Sequence, residues 1–484
     1  MSRTRLSLSL VSALALAACT SDRVDPVRPF EAGPASRSVS PATGRYLVSV
    51  KKNFPSDFAA RVAALGGTVE LQHAGAGLAV VSGVSAANAA QLGTISGVDE
   101  VQADEVLSLD VPAAAVQADV ANVTVNSQLN PTTAARYAWQ WNMRSIHANT
   151  AWAAGKLGSP AVTVAILDTG IDYDAPDLNG LVDLSRSTSF VPSDDSISTA
   201  YFPTRSKISD YNGHGTNVAT QVSSKAFALA GVTSKTTLIG VKVLAQSGSG
   251  SFAGVLSGVL WAADHNADVA NMSLGGSFSK AGNGRFVATI NKVFNYANKQ
   301  GMTIVVSAGN ASADLDHNGN VFSTYCDAPH VICVSAVGPA TVNDDPDAVS
   351  YYTNFGRSAI TVAAPGGNAD AANGFTVSNW PWGPDIASWV WSYCSKTRIA
   401  GFTGTGAPIL TACAAGNRLS GFIGTSQASP HVAGLAALIV AETGKGKPNQ
   451  VKHVIVKSAD DLGARGRDPF YGEGRINVAK AVGL

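Results

Sequence analysis

Between residues 161 and 337, short apolar runs alternate with helix-like stretches, and this alternation restricts the fold more than any other feature of the chain. AVTVAIL is followed by GTNVATQVSS, TTLIGVKVL by GSFAGVLSGVLWAADHN, and DVANMSL by FVATINKVFNYANKQ; two more runs, MTIVVSA and HVICVSAV, complete the series. Each run is apolar almost throughout, so both faces of the strand must be covered. Strands separated by helices pair in parallel, because each crossover uses up a helix. The expectation is one α/β domain over residues 137–484, with a mostly parallel sheet covered by helices on both faces.

The 484 residues leave room for more than this domain. Residues 1–19 begin with Arg3 and Arg5 and continue into an apolar stretch too short for a permanent membrane span, which reads as an export signal. Leu16-Ala17-Ala18-Cys19 resembles a bacterial lipobox, which would make Cys19 a lipidation site; the alternative is an ordinary export signal cut at small residues. Residues 20–44, rich in Pro, Ser, Arg and Ala, read as a linker. Residues 45–109 give the order strand, helix, strand, strand, helix, strand, a small ferredoxin-like α+β pattern with no catalytic set of its own. Residues 110–136 read as an extended connector suited to processing. Lys plus Arg number 34 and Asp plus Glu number 34, so no charge imbalance points to nucleic acid or acidic lipid as a partner.

Several side chains with useful chemistry stand at the ends of these elements. Asp168 ends AVTVAILD, where carboxyl ends of parallel strands face a crevice. His214 lies between two glycines at the start of a helix, Asn310 follows TIVVSAG, and Ser426 opens the helix after GFIGT. A serine hydroxyl needs a base to become a nucleophile, and His214 can serve near neutral pH. Asp168 can fix the tautomer of that base, and the Asn310 amide with a backbone N–H can hold an oxyanion. His431 follows Ser426 by five residues, off the same helix face, and is expected to be structural. Pro430 has no N–H, so the Ser426 carbonyl should lose its helical partner.

Asp168-Thr169-Gly170, His214-Gly215-Thr216, Ser307-Ala308-Gly309-Asn310 and Gly424-Thr425-Ser426-Gln427-Ala428-Ser429-Pro430-His431 resemble, in order, the signature blocks of the subtilisin-like serine proteases. The resemblance implies a serine endopeptidase that cuts polypeptides through an acyl-enzyme on Ser426 and needs no cofactor for chemistry. It implies substrate-binding residues at Ser273, Leu274, Gly275, Ala308 and Gly309, and a structural Ca²⁺ site using Asp177, whose alternative is a turn aspartate. Residues 45–109 resemble the family's inhibitory propeptide, which implies a self-processing zymogen: a lipid-anchored precursor in the cell envelope and a released, monomeric mature enzyme. Hydrolysis is the default; an esterase, a peptide ligase or an inactive binding module would use the same shell. Two positions depart from the family text: Asn217 where a second histidine is usual, and Gln427 where methionine is usual.

With Cys19 set aside, four cysteines remain. The short Cys326–Cys333 loop favours local pairing, which leaves Cys394 with Cys413; the alternative is free thiols. An insertion of about 367–420 interrupts the family pattern and carries Trp380, Trp382, Trp389 and Trp391. It reads either as a satellite core stapled by Cys394 and Cys413, or as a cleft wall with aromatic subsites.

Overall fold

The computed structural model describes residues 44–120, 123–340, 344–369 and 388–484. Cys19 with the export signal, the linker up to residue 43, and Trp380 and Trp382 lie outside the described residues. The central sheet has seven strands, in the spatial order Val362–Pro365, Val331–Val337, Thr303–Ser307, Val269–Met272, Thr163–Asp168, Thr237–Lys242 and Thr188–Ser189. Every neighbouring pair is parallel. Val164 and Ile166 pack into one core with the helices His214–Val222 and Thr425–Thr443; Ala165 and Leu167 pack into the other with Phe252–Asp264 and Gly284–Lys299. Alternate residues of one strand thus serve opposite faces, which is why the runs carry no polar alternation.

The same alternation organises residues 45–103. Strands Arg45–Val50, Thr68–His73, Leu78–Ser82 and Val98–Ala103 form a sheet whose paired strands are antiparallel, crossed by helices Phe58–Ala64 and Ala86–Leu92. Val48, Ala79 and Val81 pack on its own helices. Leu47, Leu78 and Val80 join the core of the helices Phe252–Asp264 and Gly284–Lys299 instead. Burying each of these large side chains is worth about 1.5–3 kcal/mol. Asp104 adds a polar clamp: it accepts from the Ala253 N–H at 2.8 Å, at the start of the Phe252–Asp264 helix, and faces the Arg45 guanidinium at 3.2 Å.

The connector and the insertion take specific places in the fold. Within the extended 110–136 connector, Ala113–Asp119 pairs as a strand, antiparallel to Arg418–Ile423, whose other edge pairs with Val390–Tyr393. Over the described part of the insertion, the Cys394–Cys413 staple is present, and the tryptophans face the main core and not a cleft. Trp389 and Trp391 are buried in the same core as the His214 and Ser426 helices. Register explains this: Trp391 stands opposite Gly421, where a Cβ would lie 3.0 Å from the indole, and meets Trp139 edge-on. The disulfides pair as expected, with Cα separations of 5.2 Å for Cys326–Cys333 and 5.5 Å for Cys394–Cys413.

Candidate active site

The carboxyl ends of the parallel strands bring the predicted groups together. Asp168 closes its strand fully buried, and its Oδ1 accepts from His214 Nδ1 at 2.8 Å and from the Thr169 N–H at 2.7 Å. A carboxylate can only accept, so Nδ1 carries a proton, and in the neutral imidazole Nε2 is then the nitrogen with the lone pair. That Nε2 is buried and has no hydrogen-bond partner among the described residues. The approach of the two elements depends on Gly215, because a Cβ there would lie 2.1 Å from the Gly170 carbonyl oxygen. Phe422 covers the imidazole edge-on, with ring centres 5.9 Å apart.

Ser426 sits in the first turn of the Thr425–Thr443 helix, and its hydroxyl donates to the Ser273 carbonyl at 3.1 Å. Pro430 does leave the Ser426 carbonyl without its helical donor, and the Ser273 hydroxyl replaces it at 2.7 Å. Asn310 is held by its own oxygen, which accepts from the Thr425 N–H and hydroxyl, both at 2.8 Å. That hold turns the amide NH₂ outward, where it donates to the Asp110 carbonyl at 2.5 Å. The chain around Asp110 is extended: Val106–Ser108 pairs with Ser249–Ser251, and the Leu109 N–H donates to the Gly248 carbonyl. Leu109, Asp110, Leu274, Gly275, Gly309 and Ser426 line one cleft.

Not every expected site residue faces that cleft. Ser273 is fully buried behind Ser426, tied through its hydroxyl and its carbonyl. Ala308 is also fully buried; its carbonyl accepts from Asn354. His431 has no access to Ser426: one ring nitrogen bonds the Gln427 carbonyl, the other Asn142, each at 2.8 Å, and burial pushes its pKa down to about 4. The two departures from the family text meet each other, with Gln427 Nε2 donating to Asn217 Oδ1 at 3.3 Å.

Asp177 does not present a cation site. Its Oδ1 accepts from the Phe227 and Ala228 N–H groups at 2.7 and 3.0 Å, and its Oδ2 from the Leu229 N–H at 3.2 Å. Burial pushes its carboxyl up to about 7, although those N–H groups pull it down. Three positive dipole ends converge where Ca²⁺ would need oxygen, so this donor set does not fit the ion. Among the described residues, no cluster of three or more His, Cys, Asp or Glu could hold a metal ion.

Residue-by-residue reading missed Thr425, which aims Asn310, and Asp210. Asp210 Oδ1 accepts from the Thr169 hydroxyl at 2.9 Å and the Gly213 N–H at 2.8 Å, while Oδ2 accepts from the Thr216 N–H at 2.9 Å. It thereby ties the Asp168 strand end to the His214 helix. The signal was present: an aspartate three residues before a glycine commonly folds its carboxylate onto the next N–H groups.

A family model described as the subtilase family matches residues 159–474. Thermitase of Thermoactinomyces vulgaris is 29% identical over 346 residues, covering 71% of this chain and 95% of that protein. Alkaline elastase YaB of Bacillus sp. (strain YaB) is 30% identical, covering 71% of this chain and 70% of that one. In fold, the chain is similar to the epidermin leader peptide processing serine protease of Staphylococcus aureus, with a TM-score of 0.67 at 21% identity over 91% of this chain and 98% of that one. The chain belongs to the subtilase family and is a subtilisin-like serine endopeptidase.

Proposed function

We propose that Ser426 is the nucleophile, His214 its general base and then acid, Asp168 the group that orients the imidazole, and Asn310 the oxyanion donor. In this reading the Ser426 proton passes to His214 Nε2 as Oγ adds to the peptide carbonyl carbon. The oxyanion that forms is met by the Asn310 NH₂, and His214 then gives its proton to the leaving amine. Water repeats the sequence on the acyl-enzyme and frees Ser426. No step calls for a metal or other cofactor.

We further propose that the chain is made as a self-processing zymogen cut at Asp110–Val111, with residues 45–109 as its inhibitory propeptide in a ferredoxin-like fold. One observation carries this reading. The Asp110 carbonyl is the group bonded to Asn310, on a strand laid against Ser249–Ser251 in the same cleft as Ser426. Substrate polypeptides would take the same path after the propeptide leaves. Because Cys19 precedes this bond, a lipid-held, exported precursor would release its catalytic domain on cutting. The test expresses wild type and Ser426→Ala in a protease-free host and treats both with a serine-directed fluorophosphonate. Wild type should label and begin at Val111; the variant should stay uncut and unlabelled, with activity lower by at least about 10⁴-fold. A Ser426→Ala chain cut at the same bond would overturn self-processing, and a labelled, active variant would overturn the nucleophile.

A further inference from the structure

We infer that Arg418–Ile423 is a docking edge for the part of a polypeptide substrate that follows the cut bond, read through the backbone. In the uncut chain this edge carries Ala113–Asp119 in antiparallel register, from Ile423 opposite Ala113 to Arg418 opposite Asp119. The Val120 N–H extends the contact to the Asn417 carbonyl. Counted from Asp110, the pairing covers the third to the ninth residue beyond the bond.

The edge is built to persist. Its far side is closed by Val390–Tyr393, so only one side remains for a guest strand. That supporting strand is fastened to the His214 helix: the Val390 carbonyl accepts from Asn217 Nδ2 at 3.0 Å, and the Trp391 carbonyl from Gln221 Nε2 at 2.9 Å. Cys394–Cys413 ties the insertion beyond it. The occupying sequence, AAAVQAD, consists mostly of small residues and gives little for side-chain pockets to select. A strand added to such an edge is held by main-chain hydrogen bonds and tolerates many sequences. After the cut, residues 111–119 remain attached to the catalytic domain through Val120 and compete for the edge; a substrate gains it when that tail detaches.

The inference uses the proposed Asp110–Val111 cut for its numbering, and the test separates the two. The self-processed protein is given internally quenched peptides containing VLSLD followed by VP, VPAA or VPAAAVQ. The kcat/KM should rise at least tenfold from the first to the last. Successive amides of a strand point in opposite directions, so methylating the amide of either the fourth or the fifth residue after the bond should abolish the gain, and methylating the other should not. Length is counted from whichever bond is cut, so cleavage elsewhere overturns the Asp110–Val111 assignment without disabling the series. The same series is run on Val116→Pro, whose tail is disfavoured as a strand by the proline ring and the lost N–H. A length gain in either protein supports the edge, and a larger gain in Val116→Pro identifies the tail as its competitor. Flat series in both, or a gain indifferent to both methylations, overturn it.

Discussion

The chain reaches Ser426 along one bank and leaves along another, and the banks differ. Upstream, three residues pair with Ser249–Ser251, and Leu107 sinks into the core that holds Phe252 and Leu274. Downstream, the partner is the six-residue strand Arg418–Ile423, backed by another strand whose tryptophan is buried. The first bank is short and buries a side chain of the chain itself; the second is long and pairs through backbone. A buried leucine is worth about 1.5–3 kcal/mol, whereas each main-chain hydrogen bond nets about 0.5–1.5 kcal/mol. If substrates take the path proposed above, selectivity is concentrated upstream and reach is spread downstream.

Asn310 lies between the banks and should give the largest change. Asn310→Ala removes the donor now on the Asp110 carbonyl. The expected loss in kcat is about 10²–10³-fold, or roughly 2.7–4 kcal/mol. Because the oxyanion forms whatever lies on either bank, peptides with short and long downstream halves should lose equally, and self-cutting should slow by the same factor. Single-turnover rates check this. A loss confined to one peptide class would mean that Asn310 serves one bank rather than the shared centre.

The upstream bank can be tested alone through Leu107, which is 4% exposed. Leu107→Ala removes most of its buried apolar surface, and the fragment ending at Asp110 should leave the catalytic domain about ten- to hundredfold faster, as about 1.4–2.7 kcal/mol requires. The rate at which activity appears after self-cutting measures this. An unchanged rate would shift recognition from the side chain to the backbone and erase the contrast between the banks.

What surrounds the upstream bank was legible, although its own pairing of Val106–Ser108 with Ser249–Ser251 was not. The order of elements in residues 45–103 follows from turn glycines and short apolar runs, and Asp168, His214, Asn310 and Ser426 stand where element ends suggest. The downstream bank was hidden for a physical reason. Its pairing joins residues about 300 apart in the chain, and no local period marks which edge a strand will choose. Trp389 and Trp391 suggested an aromatic wall because composition does not reveal which way a strand faces. Their burial follows from pairing with Gly421 and contact with Trp139, which only the assembled sheet determines. Asp177 misled differently, because a family carboxylate was retained while the loop around it closed onto its oxygens with N–H groups.

Gln427 should give the smallest change and the closest test of how the banks are joined. Its Nε2 donates to Asn217 Oδ1, and Asn217 Nδ2 donates to the Val390 carbonyl, so one side chain links the nucleophile's helix to the strand behind the downstream edge. Gln427→Met keeps the volume and removes the donor. It leaves Asn217 Oδ1 without that bond, at a cost to stability of about 1–3 kcal/mol, partly offset because Gln427 Oε1 is already buried without a partner. The reacting atoms are untouched, so the cleavage rate should stay within about tenfold, or 1.4 kcal/mol. A double-mutant cycle with Asn217→Ala should show a stability coupling of at least about 0.5 kcal/mol. Short and long peptides should respond alike, because Val390 keeps its strand pairing to Phe422 when Gln427 is changed. A selective loss on the long peptides would make the Asn217–Gln427 contact part of the downstream bank itself. A rate loss well beyond tenfold on every peptide would bring Gln427 into the chemistry.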